Sequence, residues 1–580
     1  MAADVSIKKT SAFSQRPNTG RWLKLFPLVT LAAFMLPILA GILGTLLPAF
    51  HFLPALGGNH LSLEPWRQLV AYPGIWHASL LSLATGLTAS LLSFAIVCLI
   101  TASLYQTSAF ARLRRVLGPF LAVPHTALAV GFLFLFSPSG WIVRTLSPWA
   151  TGWDRPADLT LSPDPAGVSL VAALVLKEVP FLLLMTIGAL GQIPTKQNLA
   201  VARSLGYRPG EAWLKTILPQ IYGRLRLPVY AVIAFSVSVV DVALILTPTT
   251  SPTLGILILR WFNDPDLDQQ FMAAAGACLQ SLLVMAAIGL WWLLERGVIL
   301  MGRWRLERGT RDNRFTGSSV WLLVGGLMAL TASACMAVLA LWSLTRRWRF
   351  PDTLPSQWTA MNWSRYADQL TGPAASTLII GLAATAIALV MTLGCLETEK
   401  RHGIRPGTKA LWLLYLPLLI PQTAFLFGAQ VLLVASGWDG SLAAVVWSHL
   451  LFVLPYVFLS LSESYRGLDD RYARSALCLG AGPGRVFWRI KIPMLLRPIL
   501  VAMAVGFAVS VAQYLPTIFA GAGRYATLTT ETVSLASGGD RRLAGLFAFL
   551  QAMLPLAGFW IAIGIPNWIY RHRRGMKGEA

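Results

Sequence analysis

Long apolar runs alternate with short polar stretches along this chain, and the pattern predicts an all-α polytopic membrane protein. A helix needs about 20 mostly apolar residues to cross hydrocarbon. Twelve runs approach or exceed that length, at about 25–50, 76–104, 116–136, 167–191, 227–247 and 271–294, then 319–344, 374–396, 410–435, 442–462, 498–520 and 544–570. The first follows a basic start, as a signal peptide does. It is too long for one and has no small-residue cleavage site, so it reads as a retained anchor helix. The expected organisation is a cytoplasmic tail 1–24, a first six-span repeat 25–294, a cytoplasmic linker 295–317, a second six-span repeat 318–570 and a cytoplasmic tail 571–580.

The two repeats align residue against residue. At an offset of 297, His77 through Leu99 pairs with Ala374 through Leu396, Pro124-His125-Thr126-Ala127 with Pro421-Gln422-Thr423-Ala424, and Gly131 with Gly428. A long outer loop at 137–166 then shifts the frame. Pro180 matches Pro455, Gly206 matches Gly480, and Phe235-Ser236-Val237-Ser238 matches Phe507-Ala508-Val509-Ser510. Two halves running in the same direction predict a pseudo-two-fold axis along the membrane normal, with a pathway between them.

One polar stretch repeats as faithfully as the apolar runs. In loops 194–224 and 463–497, a glycine (Gly206, Gly480) is followed by a proline (Pro209, Pro483), a glycine (Gly210, Gly484) and a distant proline (Pro219, Pro493) at the same spacing. Gly206 and Gly480 suit the left-handed residue that ends a helix. Pro209 and Pro483 suit the first turn of the next. Pro219 and Pro493 are expected to stop that second short helix. Asp469 and Asp470 are placed to cap the second copy.

Composition narrows the reading. Hydrophobic residues make up 56% of the 580 and charged residues only 12%, against about 25% charged in a soluble domain. The net charge of +22 suggests nucleic acid until its distribution is traced. With the N-terminus in the cytoplasm, about 35 of the 47 Lys and Arg fall on the cytoplasmic side, as the positive-inside rule requires. A lipid bilayer is therefore the partner, and nucleic acid is not. Arg346, Arg347 and Arg349 fall outside; either that loop tolerates them or the seventh span is misplaced.

No phosphate-cradling G-x-x-x-x-G-K-[ST] loop, HExxH helix or Gly-x-Ser-x-Gly elbow occurs. No catalytic residue, metal site or cofactor is assigned. Ionisable groups inside spans are costly and mark pathways or partners. Glu178 and Asp241, with Gln513 as the repeat counterpart of Asp241, are the candidates. Asp241 either lines a pathway or bonds between helices. Lys177 neighbours Glu178 but points about 100° away. Pro124 and Pro421 are expected to kink their spans.

The Gly-Pro loops resemble the "EAA" loop of permeases of binding-protein-dependent ABC importers, E-A-A-x3-G-x9-I-x-L-P. The glycine and final proline match in both copies. Ala200 and Arg474 stand at the Glu position, with Ala202 and Ala476 at the last Ala of the motif. The fused layout is similar to the type I, MetI-like permeases of the ferric-iron and thiamine importers. The run from Pro138 through Met185 resembles a thiamine-like member of that group. The resemblance implies two ATP-binding cassette subunits gripping the loops from the cytoplasm, a periplasmic solute-binding protein, and a place in the bacterial inner membrane. The rival is a twelve-span carrier driven by an ion gradient, which leaves the Gly-Pro loops unexplained.

Overall fold

The computed structural model describes residues 22–158, 162–308, 318–403 and 407–571. Most of the expected N-terminal tail, residues 309–317 of the linker and nearly all of the C-terminal tail lie outside the described residues.

The first half contains α1 (Leu25–Ala49), α2 (Ile75–Leu104), α3 (His125–Phe136), α4 (Val168–Leu190), α5 (Thr195–Ser204), α6 (Leu218–Ser238), α7 (Asp241–Leu246), α8 (Leu254–Phe262) and α9 (Gln269–Glu307). The second half repeats them as α10 (Ser318–Ser343), α11 (Ala367–His402), α12 (Gln422–Ala435), α13 (Leu442–Arg466), α14 (Asp470–Cys478), α15 (Leu496–Val511), α16 (Leu515–Gly521), α17 (Leu528–Ala536) and α18 (Arg541–Ile569). Further helices, among them Ser108–Leu117 and Thr408–Leu419, connect these. Two small antiparallel hairpins, Phe52–Leu53 with Gly58–Asn59 and Thr345–Arg347 with Gln357–Trp358, follow α1 and α10. The second hairpin holds Arg346 and Arg347, and α10 ends where the seventh span was expected to end. The span is not misplaced; the loop carries the arginines.

Among the described residues, nine helices are long and apolar enough to cross a membrane, and eleven if two bent pairs each count as one. The expected twelve are not all present as continuous spans. The run at 227–247 is broken: α6 ends at Ser238 and α7 starts at Asp241, and α6 carries Arg224 and Arg226 near its start. Hydropathy averages across such a break and misses it. The run at 410–435 is likewise two helices, bent by 92° at Pro421. Pro124 and Pro421 do not kink spans from within; they are the residues before the first turns of α3 and α12. A proline cannot supply the N–H that a continuing helix needs. The expected linker is also shorter than its polarity suggested, because α9 continues to Glu307.

The halves are interlocked rather than side by side. One core joins buried residues of α2, α3, α4, α6 and α7 to Met328, Cys335 and Leu339 of α10 and to Ala544, Ala548 and Ala552 of α18. A second joins buried residues of α11, α12, α13, α15 and α16 to Phe34 and Ile38 of α1, to α8 and to the outer part of α9. Helix α1 packs on α11 and α12, and α10 packs on α2 and α3. The close approaches also repeat. A side chain at Gly428 in α12 would strike the backbone of Gly41 and Gly44 in α1, and one at Gly131 in α3 would strike the backbone of Cys335 in α10. The Gly428 N–H donates to Thr45 Oγ1 at 3.1 Å.

Two buried glutamines cross between the halves in the same symmetric way. Gln551 Nε2 of α18 donates to Thr126 Oγ1 of α3 at 2.7 Å. Thr423 Oγ1 of α12 donates to Gln280 Oε1 of α9 at 3.1 Å. Thr126 and Thr423 are repeat counterparts, and all four residues are wholly buried. Such bonds between helices contribute about 0.6–2 kcal/mol in a membrane.

These contacts predict that Gly428→Leu destabilises the fold by about 1–3 kcal/mol or more, because the added side chain meets backbone. Gly289→Leu, where an added carbon meets nothing within 4 Å, leaves it unchanged. Tryptophan-fluorescence melting of the two purified variants checks the contrast; equal melting temperatures would contradict the packing.

Candidate functional site

Both Gly-Pro loops fold as their spacing requires. Helices α5 and α14 end on glycines in the left-handed region, Gly206 at φ 87° and Gly480 at φ 84°. In each, the glycine N–H and the next N–H reach back to two helix carbonyls. Gly206 donates to Arg203 O at 2.9 Å and Tyr207 to Ala202 O at 3.3 Å; Gly480 donates to Leu477 O and Ala481 to Ala476 O, both at 3.0 Å. The same four-carbonyl problem at a helix end is thus solved identically twice. Pro209 and Pro483 begin the following helical turns. Asp469 caps α14 by accepting from the Arg471 N–H.

Pro219 does not stop its helix as expected. The chain widens into a π turn at Trp213–Ile217 and runs on through Pro219 into α6. The extra residue per turn spaces the proline ring from the carbonyl it would otherwise strike. A π turn at Phe487–Lys491 precedes Pro493 too, but there the path breaks at Leu495 and bends by 74° into α15.

Ala200 and Arg474 are both exposed, as are Gly206, Pro209, Pro219, Gly480, Pro483 and Gly484; Ala202 and Gly210 are buried, and Ala476 and Pro493 are half-buried. The loops are held from beneath by different chemistry. The first rests on an apolar cluster in which Leu199, Ala202, Trp213 and Ile217 pack with Cys98 and Ala102 of α2 and Leu190 of α4. The second is held by charge. Glu397 of α11 accepts from Lys491 and Arg401, each at 2.6 Å, and from the Tyr465 hydroxyl. Lys400 pairs with Asp470 at 2.8 Å and Arg466 with Glu399 at 2.9 Å. The repeat counterparts of Glu397, Arg401, Tyr465 and Lys491 are Ile100, Leu104, Leu190 and Ile217, all buried.

The intramembrane candidates gather at the helix breaks. Glu178, half-way along α4, lies 3.5 Å from Nε2 of His125, the first residue of α3. His125 also packs against Phe235 of α6, 4.8 Å between ring centres. Asp241, the first residue of α7, lies in electrostatic reach of His125 and of Tyr514. Gln513 sits at the equivalent break before α16, where its Nε2 donates to Val509 O at 3.3 Å. Lys177 is turned away, as its helix position required. Its ammonium donates to Phe120 O and Leu121 O at 2.9 Å, and to Val123 O. These carbonyls belong to the broken stretch before α3, which has no helical N–H to receive. Among the described residues, no group of three or more His, Cys, Asp or Glu is placed to hold a metal ion.

No family model matches the chain. Over 523 residues it is 33% identical to the inner membrane ABC transporter permease protein YnjC of Escherichia coli K12, covering 89% of this chain and 93% of that protein. The chain belongs to the ABC-transporter permeases. Shorter matches join it to the molybdenum transport system permease protein ModB of Mycobacterium tuberculosis (30% identical, 29% of this chain, 71% of that protein). Another is to the putrescine transport system permease protein PotI of Escherichia coli K12 (26% identical, 33% of this chain, 71% of that protein). The permease is accordingly a multi-pass inner-membrane protein whose role is transport rather than catalysis.

His125, Tyr514 and the Glu397 network were absent from the sequence expectations. The aligned repeats held a signal for each. His125 and Gln422 are both polar immediately after an intramembrane proline, and four charged or hydroxyl-bearing residues of the second half replace aliphatic ones of the first.

Removing one partner from a buried ion pair is costlier than removing both. Glu397→Ala should therefore destabilise the permease by about 3–5 kcal/mol. Replacing Glu397, Arg401, Tyr465 and Lys491 together by Ile, Leu, Leu and Ile should return stability to near or above the parent value. Thermal unfolding of the single and quadruple variants checks this; a quadruple variant no more stable than Glu397→Ala would refute it.

Proposed function

We propose that this permease is the membrane-spanning part of an ATP-driven importer that moves a small solute inward by alternating access. Loops 194–224 and 463–497 are the surfaces on which two ATP-binding cassette subunits dock from the cytoplasm. The observation that carries this is the pair of exposed Gly-Pro loops with matching left-handed glycine turns, in a chain with no phosphate-cradling motif of its own. Energy must then arrive through a contact. The exposed positions of Ala200 and Arg474 suit a partner surface, and Ala202, Gly210, Ala476, Gly484, Pro219 and Pro493 shape the turns behind it. An ion-gradient carrier gives these loops no task, and family membership favours ATP.

Each half contributes six spans in this reading, with α6–α7 and α15–α16 as broken fifth and eleventh spans. A periplasmic solute-binding protein delivers the solute between the halves. Glu178 and Asp241, with Gln513 opposite, line the route. Two carboxylates inside the bilayer favour a cation, either a thiamine-like molecule or ferric iron. The putrescine system named for one relative is compatible with a cation.

In proteoliposomes holding the permease with its ATPase, Gly206→Asp combined with Gly480→Asp should abolish ATP-dependent uptake while the protein still inserts and remains folded. A side chain at either φ costs about 1–2 kcal/mol, and around Gly480 no neighbour lies within 4 Å to add to this. Undiminished uptake by the double variant would remove the loops from the energy path.

A further inference from the structure

We infer that the two broken helices have different tasks: the break before α16 is a fixed joint, and the break before α7 is the joint that bends during transport. The bending rests on the importer reading; the difference in rigidity does not.

Two side-chain relays close the second break. In one, the His449 ring of α13 bridges Ser510 of α15, 2.8 Å from Nδ1, and Thr517 of α16, 2.9 Å from Nε2. The Thr517 hydroxyl donates to Gln513 O at 3.1 Å. Its single proton is thus committed, and the Nε2–H donates to it. In the other relay, Gln551 Nε2 of α18 donates to Thr529 Oγ1 of α17 at 2.6 Å. The Thr529 hydroxyl in turn donates to Val511 O. Two carbonyls at the break, Val511 O and Gln513 O, are therefore each met by a threonine that a second side chain holds in place. All five side chains are buried. Ser448 adds a bond to Pro516 O at 3.2 Å.

The first half has neither relay. Leu174, Ser238 and Ile245 are the repeat counterparts of His449, Ser510 and Thr517, and Gly255 is that of Thr529. Ser238 Oγ turns back to Ala234 O of its own helix, at 2.6 Å. Gln280, the counterpart of Gln551, keeps its bond with Thr423, but its Nε2 has no partner among the described residues. A carbon added at Gly255 would lie 3.2 Å from Gln280 Nε2 and 3.5 Å from Val239 O, the counterpart of Val511 O. The threonine that the second half has would thus stand between that amide and that carbonyl. Helix α7 is tied at its far end, where Ser169 Oγ donates to Leu246 O at 3.2 Å. Among the described residues, no side-chain hydrogen bond joins α6 to α7 across the break. A buried donor without a partner costs free energy that another conformation can recover. Segments with few tertiary ties are also the first to open. Bending therefore concentrates at Val239 and Val240, directly beside Asp241, while Gln513 stays fixed.

The test follows hydrogen exchange of the purified full-length permease in nanodiscs by mass spectrometry. Amides 239–246 should exchange about tenfold or more faster than amides 511–518. Equal or reversed rates overturn the proposal. Thr529→Gly should raise exchange at 511–518 and leave 239–246 unchanged. The second half's arrangement can also be transplanted. An added carbon at Gly255 lies 2.9 Å from Val240 Cγ2, and the counterpart of Val240 is the smaller Ala512. Compared with Val240→Ala alone, Val240→Ala with Gly255→Thr should slow exchange at 239–246 and raise the melting temperature. It should also lower ATP turnover several-fold in proteoliposomes holding the permease with its ATPase. Stability gained as turnover is lost marks a joint that has to bend, which a purely structural contact would not show. Slower exchange with undiminished turnover overturns the bending. If the transplant does not fold, Thr529→Gly carries the test, and exchange at 511–518 that fails to rise overturns the fixed joint. An ATPase whose turnover is indifferent to the parent permease removes the importer reading and leaves the exchange contrast standing.

Discussion

Hydrocarbon offers no hydrogen bonds, so every backbone N–H and C=O inside the membrane needs a partner within the protein. That constraint explains why this chain is helical, and also why its exceptions are informative. The helices break before His125, before Asp241, at Pro421 and before Leu515. Each break frees carbonyls that something else must satisfy. Before α3 the substitute is Lys177, whose ammonium gathers three of them. This charge inside a span is part of the scaffold. Its neighbour Glu178, one position on, faces the His125 ring at 3.5 Å instead. Adjacent charges on one helix are thus answered by different elements, one by freed carbonyls and one by a side chain.

The repeat was legible because duplication preserves spacing, and spacing survives when residue types drift. Gly206 and Gly480 could be assigned to left-handed helix ends from the distance to Pro209 and Pro483 alone. The interlocking of the halves was not legible. An apolar face on α1 specifies burial, and nothing in its composition says that the burial is against α12. The broken spans were hidden for a related reason: hydropathy over 227–247 sums two short helices as though they were one. Pro219 was misread because a π turn costs the chain only one extra residue and leaves no mark in polarity. Of the candidate pathway residues, Glu178 and Asp241 were visible as charges in spans, but their meeting at His125 depends on a tertiary approach between α3, α4 and α7.

The two halves have diverged most where they anchor the Gly-Pro loops. Ile100, Leu104, Leu190 and Ile217 in one half stand where Glu397, Arg401, Tyr465 and Lys491 stand in the other. Dispersion packing is indifferent to direction, whereas a carboxylate with three donors fixes the angle of each. The first loop is therefore cushioned and the second is oriented. Matching glycine turns thus sit on unlike foundations.

The crossing of α1 and α10 has a consequence for what counts as a unit of packing. One core contains α10 and part of α18 with the middle of the first half; the other contains α1 and α8 with the middle of the second. Cutting the chain at its midpoint would divide both cores. The inherited unit and the packing unit are thus different objects. A gene doubled end to end has yielded two large cores, each assembled from both copies.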